Sequence, residues 1–122
     1  MKHILTALSI CHKHGLTHRF LRPENILIGK GSDFSDIRII NFPITVGYEG
    51  NISLNEKFHY PHFMAPEIFD PNGALNKKSD VWSCGAIIYF LLSGCVPFPG
   101  DTDNDIIMKV REGKFTYHDK IW

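Results

Sequence analysis

The segment SDVWSCGAIIYFLL, residues 79–92, predicts the strongest helix of the chain. Its apolar residues fall on nearly every side, which is typical of a helix buried on most of its faces. Trp82, Tyr89 and Phe90 are accordingly expected in the core. Ser79 or Asp80 can cap the first turn, because a short polar side chain accepts a hydrogen bond from an unpaired backbone N–H there.

Shorter elements flank this helix on both sides. Apolar residues at helical spacing predict a helix over about 2–13, and Asp103 is expected to cap another that runs to about Arg111. Two β-branched runs, 25–28 and 37–40, are separated by a Gly- and Asp-containing turn and predict a hairpin. Residues 41–64 show no sustained period and are interpreted as mostly loop. The predicted fold is mainly α with a small β-hairpin.

Composition bounds the function classes. Hydrophobic residues make up 43% of the 122 positions, and thirteen basic residues balance thirteen acidic ones. A neutral chain without a basic cluster gives no sign of nucleic-acid binding, and no apolar run reaches membrane-spanning length. Three cysteines without metal spacing indicate reduced thiols in a cytoplasmic protein. The histidines at 11–14 and 59–62 do not supply the three or four converging ligands of a zinc site.

Four phrases carry a family resemblance. HRFLRPEN at 18–25 resembles the protein kinase catalytic loop HRDLKPEN, and NFP at 41–43 resembles DFG. APE at 65–67 matches the kinase motif, and DVWSCG at 80–85 looks like the start of the central helix of a kinase C-terminal lobe. Residues 91–115 are similar to the calcium-dependent and calmodulin-dependent serine/threonine kinases. The order and spacing of these phrases identify the chain as kinase-like.

The resemblance implies a partial domain. It covers residues 1–122 and matches the C-terminal lobe from the helix before the catalytic loop to the helix at about 103–111. The nucleotide-binding N-terminal lobe and the last helices of the C-terminal lobe are expected to be absent.

The catalytic positions implied by the resemblance depart from the family pattern. Phe20 stands where the family has the aspartate that accepts the substrate hydroxyl proton. Arg22 replaces the lysine that contacts phosphate, and Asn41 replaces the aspartate that binds Mg²⁺. Pro43 replaces the glycine of DFG and restricts that hinge. Of the two metal-binding positions, only Asn25 keeps the residue that the family has.

The segment before APE departs as well. By counting back from Ala65, His59 and Tyr60 stand where active kinases usually have Gly-Thr, so the threonine partner of the catalytic aspartate is expected to be lost. Thr45, Ser53 and Tyr60 offer hydroxyls without a convincing phosphorylation context.

Architectural positions survive. In the family, His18 and Arg19 brace the loop, and Asp80 hydrogen-bonds its backbone. Glu67 would pair with an arginine of a later helix, which is expected to be missing here. The structural motif residues are therefore His18, Arg19, Ala65, Pro66, Glu67, Asp80 and Trp82.

These features predict a catalytically inactive pseudokinase that binds another protein, with no cofactor and with only vestigial nucleotide or metal contacts at Asn25 and Asn41. The alternative is part of a divergent serine/threonine kinase that uses Mg-ATP. A decaying gene copy is a third reading. Phe20 is open to two interpretations, a plug in the degraded site or drift. We also expect the isolated chain to be marginally stable, to self-associate or to need a partner.

Overall fold

The computed structural model describes residues 1–32, 36–42, 60–70, 72 and 76–117. Its helices are α1 (Lys2–Lys13), α2 (Lys77–Ser93) and α3 (Asp103–Glu112), and its strands are β1 (Ile26–Ile28) and β2 (Ile37–Ile39). Single 3₁₀ turns occur at Pro23–Asn25, Lys30–Ser32, Pro61–Phe63 and Pro66–Phe69. The mainly helical class with one small hairpin is therefore confirmed.

The hairpin is antiparallel and sits next to α1. Its register pairs Ile26 with Ile39 and Ile28 with Ile37. The isoleucines at 26, 37 and 39 pack against the core cluster that contains Leu8 of α1. Burial of this apolar side stabilises the short ladder, since an isolated two-stranded hairpin is marginal in water.

The caps of α2 and α3 differ from the predicted ones. Asn76, not Ser79 or Asp80, caps α2 by accepting a hydrogen bond from the Lys78 N–H at 2.8 Å. Thr102, not Asp103, caps α3, where it forms a reciprocal capping box with Asp105.

Both helices end at a left-handed glycine, Gly94 after α2 and Gly113 after α3, with φ of 72° and 67°. After Gly94, the loop between the two helices packs against α2, where Phe98 stacks on Trp82.

Two buried clusters meet at α2. The first contains residues of α1, of the 18–25 loop, of the turn Pro61–Phe63 and of α2: Ile4, Leu8, Leu21, Phe63, Cys84, Ala86 and Ile87. The second joins the 64–69 segment, the loop after α2 and α3: Met64, Ala65, Ile68, Phe69, Phe98, Ile106 and Val110. Trp82 of α2 packs against the second cluster, so α2 is central to both.

The expectation that α2 is buried on most of its faces is only partly met. Val81, Leu91 and Leu92 are about 60% exposed, at 59%, 63% and 60%. Within the described ranges, no helix has the length and apolar character needed to cross a membrane.

Candidate functional site, a kinase-like catalytic loop

Asp80 organises the start of the 18–25 loop. It lies in the first turn of α2 and is fully buried. Its carboxylate accepts hydrogen bonds from the backbone N–H of His18 at 2.9 Å and of Arg19 at 2.7 Å. His12, in the last turn of α1, donates to the same carboxylate through Nε2 at 2.6 Å. These three donors give both oxygens of the buried carboxylate a hydrogen-bond partner.

His12 is a site residue that the sequence reasoning missed. It is 68 positions from Asp80. Only its position on the inward side of the last turn of α1 could have indicated it. Arg19, next to the bonded backbone, has a φ of 66°, and its buried Nε has no hydrogen-bond partner among the described residues.

His18 connects the loop to the end of β2. Its Nε2 donates to the carbonyl of Ile40 at 3.0 Å, and its Nδ1 accepts from the N–H of Phe20 at 3.3 Å. The ring centroid is 4.6 Å from that of Phe42. Burial lowers the pKa of His18, although the Ile40 carbonyl and the Asp80 carboxylate act in the opposite direction. The contacts therefore select the neutral ring with its proton on Nε2.

Asn25 and Asn41, the two positions at which the resemblance implies metal ligation, bond to each other. Nδ2 of Asn41 donates to Oδ1 of Asn25 at 2.9 Å. Nδ2 of Asn25 in turn donates to the carbonyl of Phe20 at 2.8 Å. Asn25 is buried, and Asn41 has a φ of 58°, which asparagine tolerates better than most residues.

This pair does not fit Mg²⁺. The ion prefers near-octahedral oxygen ligands and is usually held through one or two carboxylates. Here both side chains are neutral amides, and the ligating oxygen of Asn25 already accepts a hydrogen bond from Asn41. In the part of the chain that the structure describes, no group of three or more His, Cys, Asp or Glu side chains could hold a metal ion.

Phe20 is half-buried and packs against the second cluster, which contains Met64 and Ala65. Its ring therefore packs on a cluster to which the 64–69 segment, the loop after α2 and α3 all contribute. A phenyl ring has no lone pair, so this position can neither accept a proton nor orient a hydroxyl.

Arg22 and Tyr60 form a second contact between the loop and the segment before Ala65. The guanidinium carbon of Arg22 lies 5.0 Å from the centroid of the Tyr60 ring, within cation–π distance. Nε of Arg22 is 3.8 Å from a carboxylate oxygen of Glu24 on the adjacent turn. Tyr60 stands at the threonine position of the family and Arg22 at the lysine position, so these two positions are joined here by a cation–π contact.

The APE residues anchor the site to α2. Ala65 is fully buried, and Pro66 begins the turn Pro66–Phe69. Glu67 was predicted without its arginine partner; in the structure it accepts a hydrogen bond from the Ser79 hydroxyl at 2.7 Å. Trp82 stacks on Phe98 with ring centroids 5.8 Å apart.

Arg111 of α3 also reaches this region by donating to the carbonyl of Phe69 at 2.7 Å. Four positions singled out in the sequence, Pro43, Thr45, Ser53 and His59, lie outside the described residues.

The chain matches the protein kinase domain family over residues 1–121. It is 39% identical over 118 residues to calcium-dependent protein kinase 4 of Plasmodium falciparum (isolate 3D7). The matched residues make up 96% of this chain and 22% of the relative.

It is 41% identical over 122 residues to calcium-dependent protein kinase 5 of Plasmodium berghei (strain Anka), covering 100% of this chain and 21% of the relative. It is 34% identical over 121 residues to calcium-dependent protein kinase 24 of Arabidopsis thaliana, covering 99% of this chain and 20% of the relative. The chain spans about a fifth of the length of these curated relatives. The chain therefore belongs to the protein kinase family and is related to its calcium-dependent members.

Proposed function

We propose that this kinase-like lobe is a pseudokinase, which does not transfer phosphate and acts by binding another protein. The observation that carries the proposal is the hydrogen bond from Nδ2 of Asn41 to Oδ1 of Asn25. It satisfies the surviving metal-ligand atom with a neutral donor from the chain itself. A metal ion at this position would have to break that bond and would gain no negative charge in return.

The base position supports the same conclusion. Phosphoryl transfer by kinases depends on positioning and on charge stabilisation around the metal ions and the catalytic carboxylate. Phe20 supplies no carboxylate, and its ring packs against the cluster around Met64 and Ala65. Loss of a positioned general base typically lowers a rate by about 10²–10⁴-fold.

The scaffold around these positions is nevertheless well bonded. Asp80 holds the backbone of His18 and Arg19, and Ser79 holds Glu67. A lobe that keeps these braces while its reactive groups differ is suited to present a fixed surface. Large apolar side chains on α2 and α3, including Leu91, Leu92 and Met108, are 60% exposed or more. Exposed apolar surface of this kind supports a role in association.

A radiometric transfer assay tests the proposal. The purified chain is incubated with labelled Mg-ATP and a generic serine/threonine peptide. We expect no label on the peptide or on the chain itself, and no thermal shift with Mg-ATP. Transfer that is lost in an Asn25→Ala variant would overturn the proposal.

An active serine/threonine kinase is the second candidate, and the intact bracing of the 18–25 loop by Asp80 favours it. In that case catalysis would have to proceed without a carboxylate at position 20. The same assay, repeated on Phe20→Asp combined with Asn41→Asp, separates the candidates. A gain of transfer only in this variant supports the pseudokinase, whereas transfer by the unmodified chain supports the enzyme.

A further inference from the structure

Two side chains of the 18–25 loop contact parts of the chain outside that loop. Phe20 packs against the second cluster, to which that segment contributes Met64 and Ala65. Arg22 places its guanidinium carbon 5.0 Å from the ring centroid of Tyr60. Phe20, at the general-base position, and Arg22, at the phosphate-contact position, thus both contact other side chains of this chain.

The backbone at Tyr60 is in a conformation that requires support. Its φ is 70°, in the left-handed region that a residue with a Cβ atom rarely adopts. Such a conformation persists where surrounding contacts determine it, and it is often found at functional sites. Pro61 is buried directly after it, and Nδ1 of His62 is 3.0 Å from the carbonyl of Phe98. Tyr60 is therefore held by Arg22 on one side and by an anchored turn on the other.

We propose that Phe20, Arg22 and Tyr60 form a closed latch, in which the contact of Arg22 with Tyr60 joins the 18–25 loop to the segment before Ala65 and the packing of Phe20 on the second cluster holds that loop in place. Each partner belongs to this chain, so the latch closes without nucleotide, metal or modification. The inference builds on the proposed function, because it explains how the lobe keeps one arrangement in the absence of ligands.

The latch predicts that its two halves are energetically coupled. Loss of the ring face at Tyr60 should loosen the loop that carries Arg22, and loss of the Arg22 charge should loosen the segment at Tyr60. An exposed cation–π contact corresponds to a change of about two- to five-fold in an equilibrium constant. Tyr60 is 55% exposed and the Arg22 side chain 29% exposed, so this range applies.

Hydrogen exchange measured by mass spectrometry on the full chain, without nucleotide, tests the coupling. Tyr60→Leu and Arg22→Gln are each expected to speed exchange in residues 18–25 and 60–65 by about two- to five-fold. The double variant should exchange no faster than either single one, because both remove the same contact. Tyr60→Phe keeps the ring face and should retain slow exchange.

Phe20→Ala should speed exchange in residues 60–65 relative to α1, since it removes the ring that packs on the second cluster, to which α1 contributes no residue.

Matched controls separate the latch from general destabilisation. Tyr117 is similarly exposed, at 57%, and Arg38 pairs on the surface with Asp36. Tyr117→Leu and Arg38→Gln should leave exchange in residues 18–25 unchanged. Additive effects of Arg22→Gln and Tyr60→Leu, or fast exchange in Tyr60→Phe, would overturn the latch. Neither result depends on phosphate transfer, so failure of the latch and failure of the proposed function are distinguishable.

Discussion

Asn41 donates its side-chain N–H to the side-chain oxygen of Asn25 at 2.9 Å, across sixteen positions of sequence. An aspartate at position 41 could not make this bond, because an ionised carboxylate only accepts hydrogen bonds. With aspartate at position 41, two side-chain oxygens would face each other and would need a cation between them. With asparagine, the two side chains form a hydrogen bond and need no cation.

Asn41→Asp should reverse the metal preference of the site. In EDTA the variant should lose about 1–3 kcal/mol of unfolding free energy, since a buried acceptor loses its donor and faces a second acceptor. Millimolar Mg²⁺ should restore part of that loss, because a carboxylate and the freed oxygen of Asn25 are suitable ligands. Thermal melting with and without Mg²⁺ measures both effects. Asn41→Ala is the control that loses the bond without gaining a charge, and equal Mg²⁺ responses of the two variants would contradict the assignment.

Asp80→Ala should be among the most damaging single substitutions in the described part of the chain. It removes an acceptor from the N–H groups of His18 and Arg19 and from the ring of His12. Each buried donor that is left without its acceptor costs about 1–3 kcal/mol of unfolding free energy, and here several lose it at once. Urea unfolding measures the loss, and Asp101→Ala serves as the matched surface control, which should change stability by less than about 0.5 kcal/mol. Similar midpoints for the two variants would show that Asp80 is not structural.

The sequence predicted where the helices and strands lie better than where they begin. The period over 2–13 matches α1, because a helix that packs with one face has a clear signal in its apolar residues. For α2 the first turn contains the exposed Lys77 and Lys78, which hydropathy does not register. Ser79 and Asp80 were reasonable caps by type. In the structure Ser79 bonds Glu67 and Asp80 bonds the 18–25 loop, whereas Asn76 stands at the N-cap position and caps the helix.

Site positions were predicted one by one, whereas the contacts between them were not. Motif spacing identified Arg22 and Tyr60 separately, but their cation–π contact depends on a left-handed backbone at Tyr60 that no residue type there signals. The bond between Asn41 and Asn25 likewise depends on how the two amides are oriented. Long-range geometry of this kind comes from packing around α2, which a single sequence does not specify locally.

His18 should make stability depend on pH. Its pKa in the folded chain is lowered by burial, below the ordinary value of 6.5. The unfolded chain therefore takes up the proton first as the pH falls, so this residue's contribution is complete above about pH 6.5 and is lost as the pH falls below it toward the folded pKa. The nearby Asp80 carboxylate moderates the effect because it favours the charged ring.

Urea unfolding between pH 7 and pH 5 measures this slope. The decrease in unfolding free energy should be smaller in His18→Gln than in the unmodified chain. His3→Gln, which changes an exposed histidine, should keep the original slope. An identical pH dependence in all three proteins would show that His18 titrates normally.

The cysteines should differ sharply in reactivity. Cys84 is buried in the first cluster, and burial raises its pKa to about 11, with a smaller contribution from Asp80. At pH 8 only about a thousandth of such a thiol is ionised, and the thiolate is the reactive form. Cys95 is exposed on the loop after α2, where a reagent can reach it. Iodoacetamide followed by peptide mass spectrometry should therefore label Cys95 in the folded chain and Cys84 only after urea is added. Labelling of Cys84 at the rate of Cys95 without urea would mean that the cluster around α2 opens readily, and the braced lobe inferred from Asp80 would then be wrong.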